Sequence, residues 1–174
     1  MSTTPRVRPD PAFGLLELYD KALPHVYGYL LARCGQRQLA EDLTAETFLA
    51  AVDAVRKPGA PTLSVAWLIG VARHKLADHW RRTERERRGL RVLESEPAGD
   101  DLWDPWDVEI DAIRARDVLT TLAPPHRAAL TLRYVDGLPV REVADHLDRT
   151  LHATEALLVR ARNAFRRAYS GEEG

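Results

Sequence analysis

Apolar residues recur along this chain at intervals of three and four, and no stretch alternates as a half-buried strand would. Leu16, Tyr19, Leu23, Val26, Tyr27, Leu30 and Leu31 mark an amphipathic helix that stops at Gly35. Pro24 falls inside it, and its missing N–H predicts a kink or a division in two. A second helix is expected from Gln38 to about Arg56, with Leu39, Leu43, Thr47, Ala50 and Ala54 on one face. Pro58-Gly59-Ala60-Pro61 ends it. A third helix, N-capped by Thr62 or Ser64, has Leu68, Ala72, Leu76 and Trp80 on its inner face and should end near Arg82. Trp67, His74, Asp78 and Arg81 share another face of it.

The second half of the chain repeats the helical period. One helix is expected up to Leu122, and another from Pro124-Pro125 to Asp136-Gly137. Val140, Val143, Ala144 and Leu147 then fall at i, i+3, i+4, i+7, after a proline suited to a first helical turn. Asp148-Arg149-Thr150 breaks that short helix, and Thr150 can cap the next. The last helix carries Leu158, Ala161, Phe165 and Ala168 at helical spacing, with Arg160, Arg162, Arg166 and Arg167 among them. A short helix, a tight turn and a basic helix predict a helix-turn-helix, whose second helix can enter a major groove; an ordinary helical hairpin is the bland alternative.

Composition agrees with an all-α protein. The 174 residues are 45% hydrophobic and 29% charged, enough to bury a core and remain soluble. The net charge of −1 means that any affinity for nucleic acid must come from local patches. One basic strip runs from Arg73 to Arg91, where Trp67 and Trp80 offer ring surfaces of the kind that stack on unpaired bases. A solvated helix end is the plainer account of the strip, and a core position that of Trp80. From Glu94 to Asp111 the chain is acidic, without Lys or Arg, and holds Pro97, Gly99 and Pro105; this reads as a flexible linker. The single Cys34 excludes an internal disulfide and points to a reducing compartment. Met1 to Pro11 lacks the apolar stretch of a signal peptide, and no run is long enough to span a bilayer, so a cytoplasmic protein without membrane insertion is expected.

Ala40-Glu41-Asp42-Leu43-Thr44-Ala45-Glu46-Thr47-Phe48 crowds acid near a helix start, where the dipole favours it. Phe48 lies off the expected apolar stripe, which makes acid plus an aromatic a plausible protein-docking surface. Catalysis finds little support. His74, Asp78 and His79 make a poor metal site because Asp78 and His79 are adjacent and do not share a face with each other, no zinc spacing is present, and there is no glycine-rich phosphate loop. Neither a metal nor another cofactor is expected, and no catalytic residue.

Three stretches together resemble the extracytoplasmic-function (ECF) group of the sigma-70 family of bacterial RNA polymerase sigma factors. Ala40 to Phe48 is similar to the AEDLTQETF signature of region 2.2. Ala66-Trp67-Leu68-Ile69-Gly70-Val71-Ala72-Arg73-His74-Lys75, continuing to Arg82, resembles the pattern of regions 2.3 and 2.4. Leu122 to Arg167 looks like region 4, with Leu130 to Leu138 and Val140 to Leu147 carrying its motifs. The resemblance implies two small helical domains, residues 10–83 (region 2) and 107–170 (region 4), joined by an acidic flexible linker at 84–106. It implies core polymerase, through its β′ and β subunits, and promoter DNA as partners, with an anti-sigma factor as a further one. Asp42, Glu46 and Phe48 would dock on polymerase. The loop Lys57 to Ser64, with Trp67, Arg73, His74, Lys75, Asp78 and Arg81, would capture the unpaired −10 strand. Arg149, Thr150, His152, Ala153, Thr154, Glu155, Arg160 and Arg162 would serve the −35 duplex, the first six at base edges and the two arginines on phosphates.

The chain departs from the family pattern in places. Ala45 replaces a common Gln, His74 a common Asn, and Glu155 and Leu157 stand where Lys and Arg are usual. The −35 sequence therefore cannot be borrowed from better-known members. A stand-alone helix-turn-helix regulator is the alternative function; it would explain Leu138 to Tyr169 but neither the acidic motif nor the first basic helix.

Overall fold

The computed structural model describes residues 11–90 and 111–171. Among them are seven α-helices and no strand. They are α1 (Pro11–Cys34), α2 (Arg37–Arg56), α3 (Val65–Leu90), α4 (Ala112–Thr121), α5 (Pro124–Leu130), α6 (Val140–His146) and α7 (Leu151–Ser170). The acidic stretch at 94–110, with its Pro97, Gly99 and Pro105, lies outside the described residues. The chain forms two compact units with their boundary between Lys75 and Leu76, so α3 gives its first half to one and its second half to the other.

In the first unit α1 and α2 form a hairpin. Gly35, at φ 66°, makes the turn, and its N–H donates to Leu31 O at 3.0 Å. The Cys34 thiol is buried beside this turn and donates to Gln36 O at 3.4 Å. Helix α1 runs undivided through Pro24, so of the kink or division expected there the division does not occur. Its buried stripe also differs: Leu15, Ala22, Val26 and Leu30 turn inward, while Leu16 and Tyr19 face solvent. The contribution of a small residue, Ala22, rotates the stripe away from the larger side chains. On α2 the interior face is Ala40, Leu43, Thr44, Thr47, Phe48, Ala51 and Val55. The buried Thr44 and Thr47 hydroxyls donate to the carbonyls of Ala40 and Leu43, each at 2.7 Å, so neither is left unsatisfied. Leu68 and Ala72, on the first half of α3, are fully buried as expected. Ser64 caps α3, accepting from Trp67 N at 3.1 Å.

The second unit begins with Leu76, Ala77 and Trp80 buried along α3. This helix continues about two turns past the expected end at Arg82, so residues 84–90 are helix where a linker is expected. The extension is rich in helix formers, and Glu84 accepts from Arg88 four residues on at 2.9 Å. Asp111 caps α4 by accepting from Ile113 N at 2.8 Å, and its own N–H donates to the Tyr169 hydroxyl at 3.1 Å, tying the start of α4 to the end of α7. Val118, Leu130, Ala161 and Phe165 form an apolar cluster, flanked by Leu119, Leu122, Tyr134 and Tyr169. Pro124 and Pro125 open α5, where their missing N–H groups cost nothing. The wider turn at Thr131–Val135 ends α5 with Asp136 N donating to Thr131 O at 2.9 Å, and Gly137 follows at φ 69°.

The helix-turn-helix consists of α6 and α7. Val143, Ala144 and Leu147 are buried on this stretch, and Val140 only in part. Asp148 makes the turn at φ 52°, a left-handed conformation that aspartate tolerates better than most residues. Thr150 then caps α7, its hydroxyl accepting from Ala153 N at 3.1 Å. Thr150→Ala should therefore cost about 1 kcal/mol of stability. Urea unfolding of the full chain checks this, and an unchanged midpoint would mean that the cap contributes nothing.

Candidate functional site

Asp42, Glu46, Leu49 and Asp53 fall at i, i+4, i+7 and i+11 on α2, so they share one face. Asp42 is exposed and accepts from Gln38 Nε2 at 3.1 Å, while Glu46 is half-buried. Phe48 is not part of this face. It is a core residue, 9% exposed, with its ring 4.8 Å from that of Tyr19 on α1. The expectation that it lies off the buried stripe is thus corrected: the stripe of α2 passes through positions 40, 44, 47, 48 and 51. The apolar side chain that does stand beside the acids is Leu49, 64% exposed. Its spacing of seven from Asp42 could have disclosed it.

Along α3, Trp67, Arg73 and Lys75 differ from His74 and Asp78 only by degrees of exposure, and none of the five belongs to the buried stripe. Trp67, His74, Asp78 and Arg81 are spaced for one face, as the sequence predicts. The Asp78 carboxylate accepts a hydrogen bond from Arg81, which fixes that guanidinium on the helix surface. Trp80 is core, 5% exposed, with the Arg127 guanidinium 5.9 Å from its ring centre. It has no free face for a base. The loop Lys57 to Ser64 precedes α3, with Gly59 at φ 77° in its turn.

At the start of α7, Thr150, His152 and Glu155 are exposed, and Ala153 is partly so. Thr154 is fully buried and donates its hydroxyl to Thr150 O at 2.9 Å. Its expected place among the base-reading residues is corrected, because position 154 continues the inner face of Leu157, Leu158 and Ala161. Arg160 donates to Ala156 O at 3.3 Å, and Arg162 to the Tyr134 hydroxyl at 3.1 Å. Arg149 is half-buried just before the cap. Burial, then the positive charges of Arg88 and Arg160, lower its guanidinium pKa from the ordinary arginine value, and Glu84 partly opposes them. No helix among the described residues is long and apolar enough to cross a membrane.

One unit thus carries a capped helix-turn-helix and the other a helix face with Asp42, Glu46 and Asp53 in register. Comparison with known proteins makes this specific. Residues 18–86 match the model of sigma-70 region 2, and residues 113–165 match sigma-70 region 4. The chain is 34% identical over 157 residues to the ECF RNA polymerase sigma factor BldN of Streptomyces coelicolor, covering 86% of this chain and 57% of BldN. It therefore spans little more than half the length of that relative. With the ECF RNA polymerase sigma factor SigD of Mycobacterium tuberculosis it shares 31% identity over 157 residues, 85% of this chain and 73% of SigD. Among solved structures, the sigma factor RpoE co-crystallised with the anti-sigma factor NepR from Bartonella quintana has a TM-score of 0.53 at 18% identity, covering 92% of this chain and 99% of RpoE. That likeness concerns the fold. The chain belongs to the ECF group of the sigma-70 family of RNA polymerase sigma factors.

Proposed function

We propose that the chain binds core RNA polymerase, selects a set of promoters, and holds the melted strand while transcription starts. The observation that carries this reading is the match of both halves, in order, to the two sigma regions. The protein adds no catalysis of its own, since polymerase performs the chemistry, and it works in the cytoplasm beside that enzyme. Residues 10–83 would serve polymerase docking and the −10 element, and residues 107–170 the −35 element.

Asp42 and Glu46 would dock on the β′ subunit, with Leu49 as the apolar contact beside them. On α3, Trp67, Arg73, His74 and Lys75 would meet the unpaired −10 strand, and Asp78 and Arg81 would act as a bonded pair along the same helix. Arg149, Thr150, His152, Ala153 and Glu155 would face −35 base edges. Arg160 and Arg162 would hold phosphates. An anti-sigma factor is a further partner in this reading.

Run-off transcription with purified core polymerase on a genomic promoter pool tests the proposal. Discrete transcripts that depend on added protein are expected. Their absence, together with tight duplex binding by the protein alone, would favour a stand-alone regulator. The strand-capture role has its own test. Arg73→Ala with Lys75→Ala should weaken promoter opening more than formation of the closed complex, by about 30-fold if each removes a strand contact of about 1 kcal/mol, the lower end of the range for base contacts in single-strand binding. Permanganate reactivity of the melted strand measures it, and unchanged reactivity would count against the role.

A further inference from the structure

The outward face of α7 at its capped end is defined by what it lacks. Among the first nine residues of the helix, Leu151, His152, Ala153, Glu155, Ala156 and Val159 are exposed wholly or in part. None of them is Arg, Lys, Asn or Gln, the side chains that engage two atoms of a guanine or an adenine at once from the major groove. Arg149 precedes the cap and is half-buried, and Arg160 donates to the backbone of its own helix at Ala156 O. What this face offers is a carboxylate, an imidazole and methyl groups. Its largest apolar side chain is Leu151, 39% exposed. The core does not account for a leucine there. Leu151 lies outside the apolar cluster of Val118, Leu130, Ala161 and Phe165, and the buried face of α7 begins only at Thr154. It follows Thr150 directly, whose hydroxyl accepts from Ala153 N at 3.1 Å and whose carbonyl accepts from Thr154 N at 3.0 Å. The first turn that carries Leu151 is therefore fixed, and Glu155, four residues on, shares its flank.

In the major groove of B-form DNA the apolar group that marks a base is the C5-methyl of thymine; the donors and acceptors that mark the other bases are polar. A leucine at the tip of a helix that enters this groove desolvates a polar edge unfavourably and a methyl group favourably. We propose that Leu151 is a specificity-determining residue, packing on the C5-methyl group of a thymine in the −35 element while Glu155 accepts from a cytosine amino group at another position. The inference rests on the reading of α7 as the duplex-binding helix. It also assigns a preference to the capped end as a whole. This end recognises pyrimidine edges, methyl by leucine and amino by glutamate, and purines enter the preferred site as their partners across the base pair.

The experiment uses holoenzyme assembled from core polymerase and the full chain, on a promoter selected from a library randomised across the −35 element. Each thymine of that element, on either strand, is replaced in turn by deoxyuridine, which lacks the C5-methyl group and keeps the base-pairing atoms. At one position the replacement should weaken promoter binding about fourfold, the effect of losing one buried methyl group. Leu151→Ala should weaken binding to the unmodified promoter by a similar factor and lose the preference for thymine at that position. The two changes should not add: deoxyuridine at that position should leave Leu151→Ala unaffected, because leucine and methyl are two sides of one contact. Additive losses, an unchanged consensus with Leu151→Ala, or tolerance of deoxyuridine at every position would each overturn the assignment. Thermal melts should be unaltered, since position 151 is exposed. Should Leu151→Ala nevertheless fold poorly, Leu151→Gln takes its place; it keeps a long side chain that favours helix and should show no discrimination between thymine and deoxyuridine. Changing the whole −35 element separates the two levels. A chain whose transcription depends on that element but ignores the methyl groups keeps its function and loses the role of Leu151. One whose transcription is indifferent to the element loses the reading of α7, and the role of Leu151 falls with it.

Discussion

Asp42→Arg with Glu46→Arg should lower affinity for core polymerase by about 100-fold or more, since like charges set against each other across an interface cost several kcal/mol. The fold should survive. Asp42 is exposed and its bond to Gln38 lies at the surface, and substitutions of that kind usually change stability by no more than about 0.5 kcal/mol. Phe48→Ala provides the contrast. Phe48 is packed against Tyr19, so its loss should cost about 3–5 kcal/mol of stability, and any loss of polymerase binding should follow the unfolding. Thermal melts and polymerase pull-down on the same samples separate these outcomes. Normal binding by the double variant would remove the docking assignment altogether. A double variant that fails only because it has unfolded would show that Glu46 is structural.

The second large effect concerns promoter choice. His152 and Glu155 are exposed at the capped start of α7, and Glu155 can accept from a cytosine amino group. Glu155→Ala or His152→Ala should cost about 1–3 kcal/mol on the preferred promoter and relax preference at one position of the −35 element. Arg160→Ala should behave differently. Its hydrogen bond is to its own helix backbone, so the substitution chiefly removes a cation. Binding to all promoters should weaken alike, and the slope of log affinity against log salt should fall by about one. Arg162 is a poorer probe, because it also holds the Tyr134 hydroxyl. Selection from a randomised promoter library with holoenzyme reads both effects. An unchanged consensus with Glu155→Ala and His152→Ala, or a change at a single base with Arg160→Ala, would break the division of labour along this helix.

The features legible in the sequence are those that local chemistry decides. Ser64 and Thr150 cap helices because a hydroxyl there satisfies a free N–H. The α3 stripe of Leu68, Ala72, Leu76 and Trp80 follows from mostly large apolar residues at four-residue spacing. What the sequence misassigns depends on a neighbouring element. Phe48 and Thr154 read as surface residues until α1 and the interior of the helix-turn-helix are in place. The stripe of α1 is shifted by Ala22, a residue too small to dominate a hydrophobic pattern. The α3 extension is obscured because its charges suggest a linker, although Glu and Arg are good helix formers. Leu157, a departure from the basic family pattern, is buried on the inner face of α7 with Thr154, Leu158 and Ala161.

The buried Cys34 has a consequence for spectroscopy. The chain contains a single cysteine, and its thiol is turned inward at the end of α1 with its hydrogen bond to Gln36 O. A shielded thiol reacts slowly with maleimides. A second cysteine placed at a more accessible position such as Arg85 would therefore take a dye or spin label ahead of it. Motions of α3 can then be followed in an otherwise native chain, without first deleting the natural thiol.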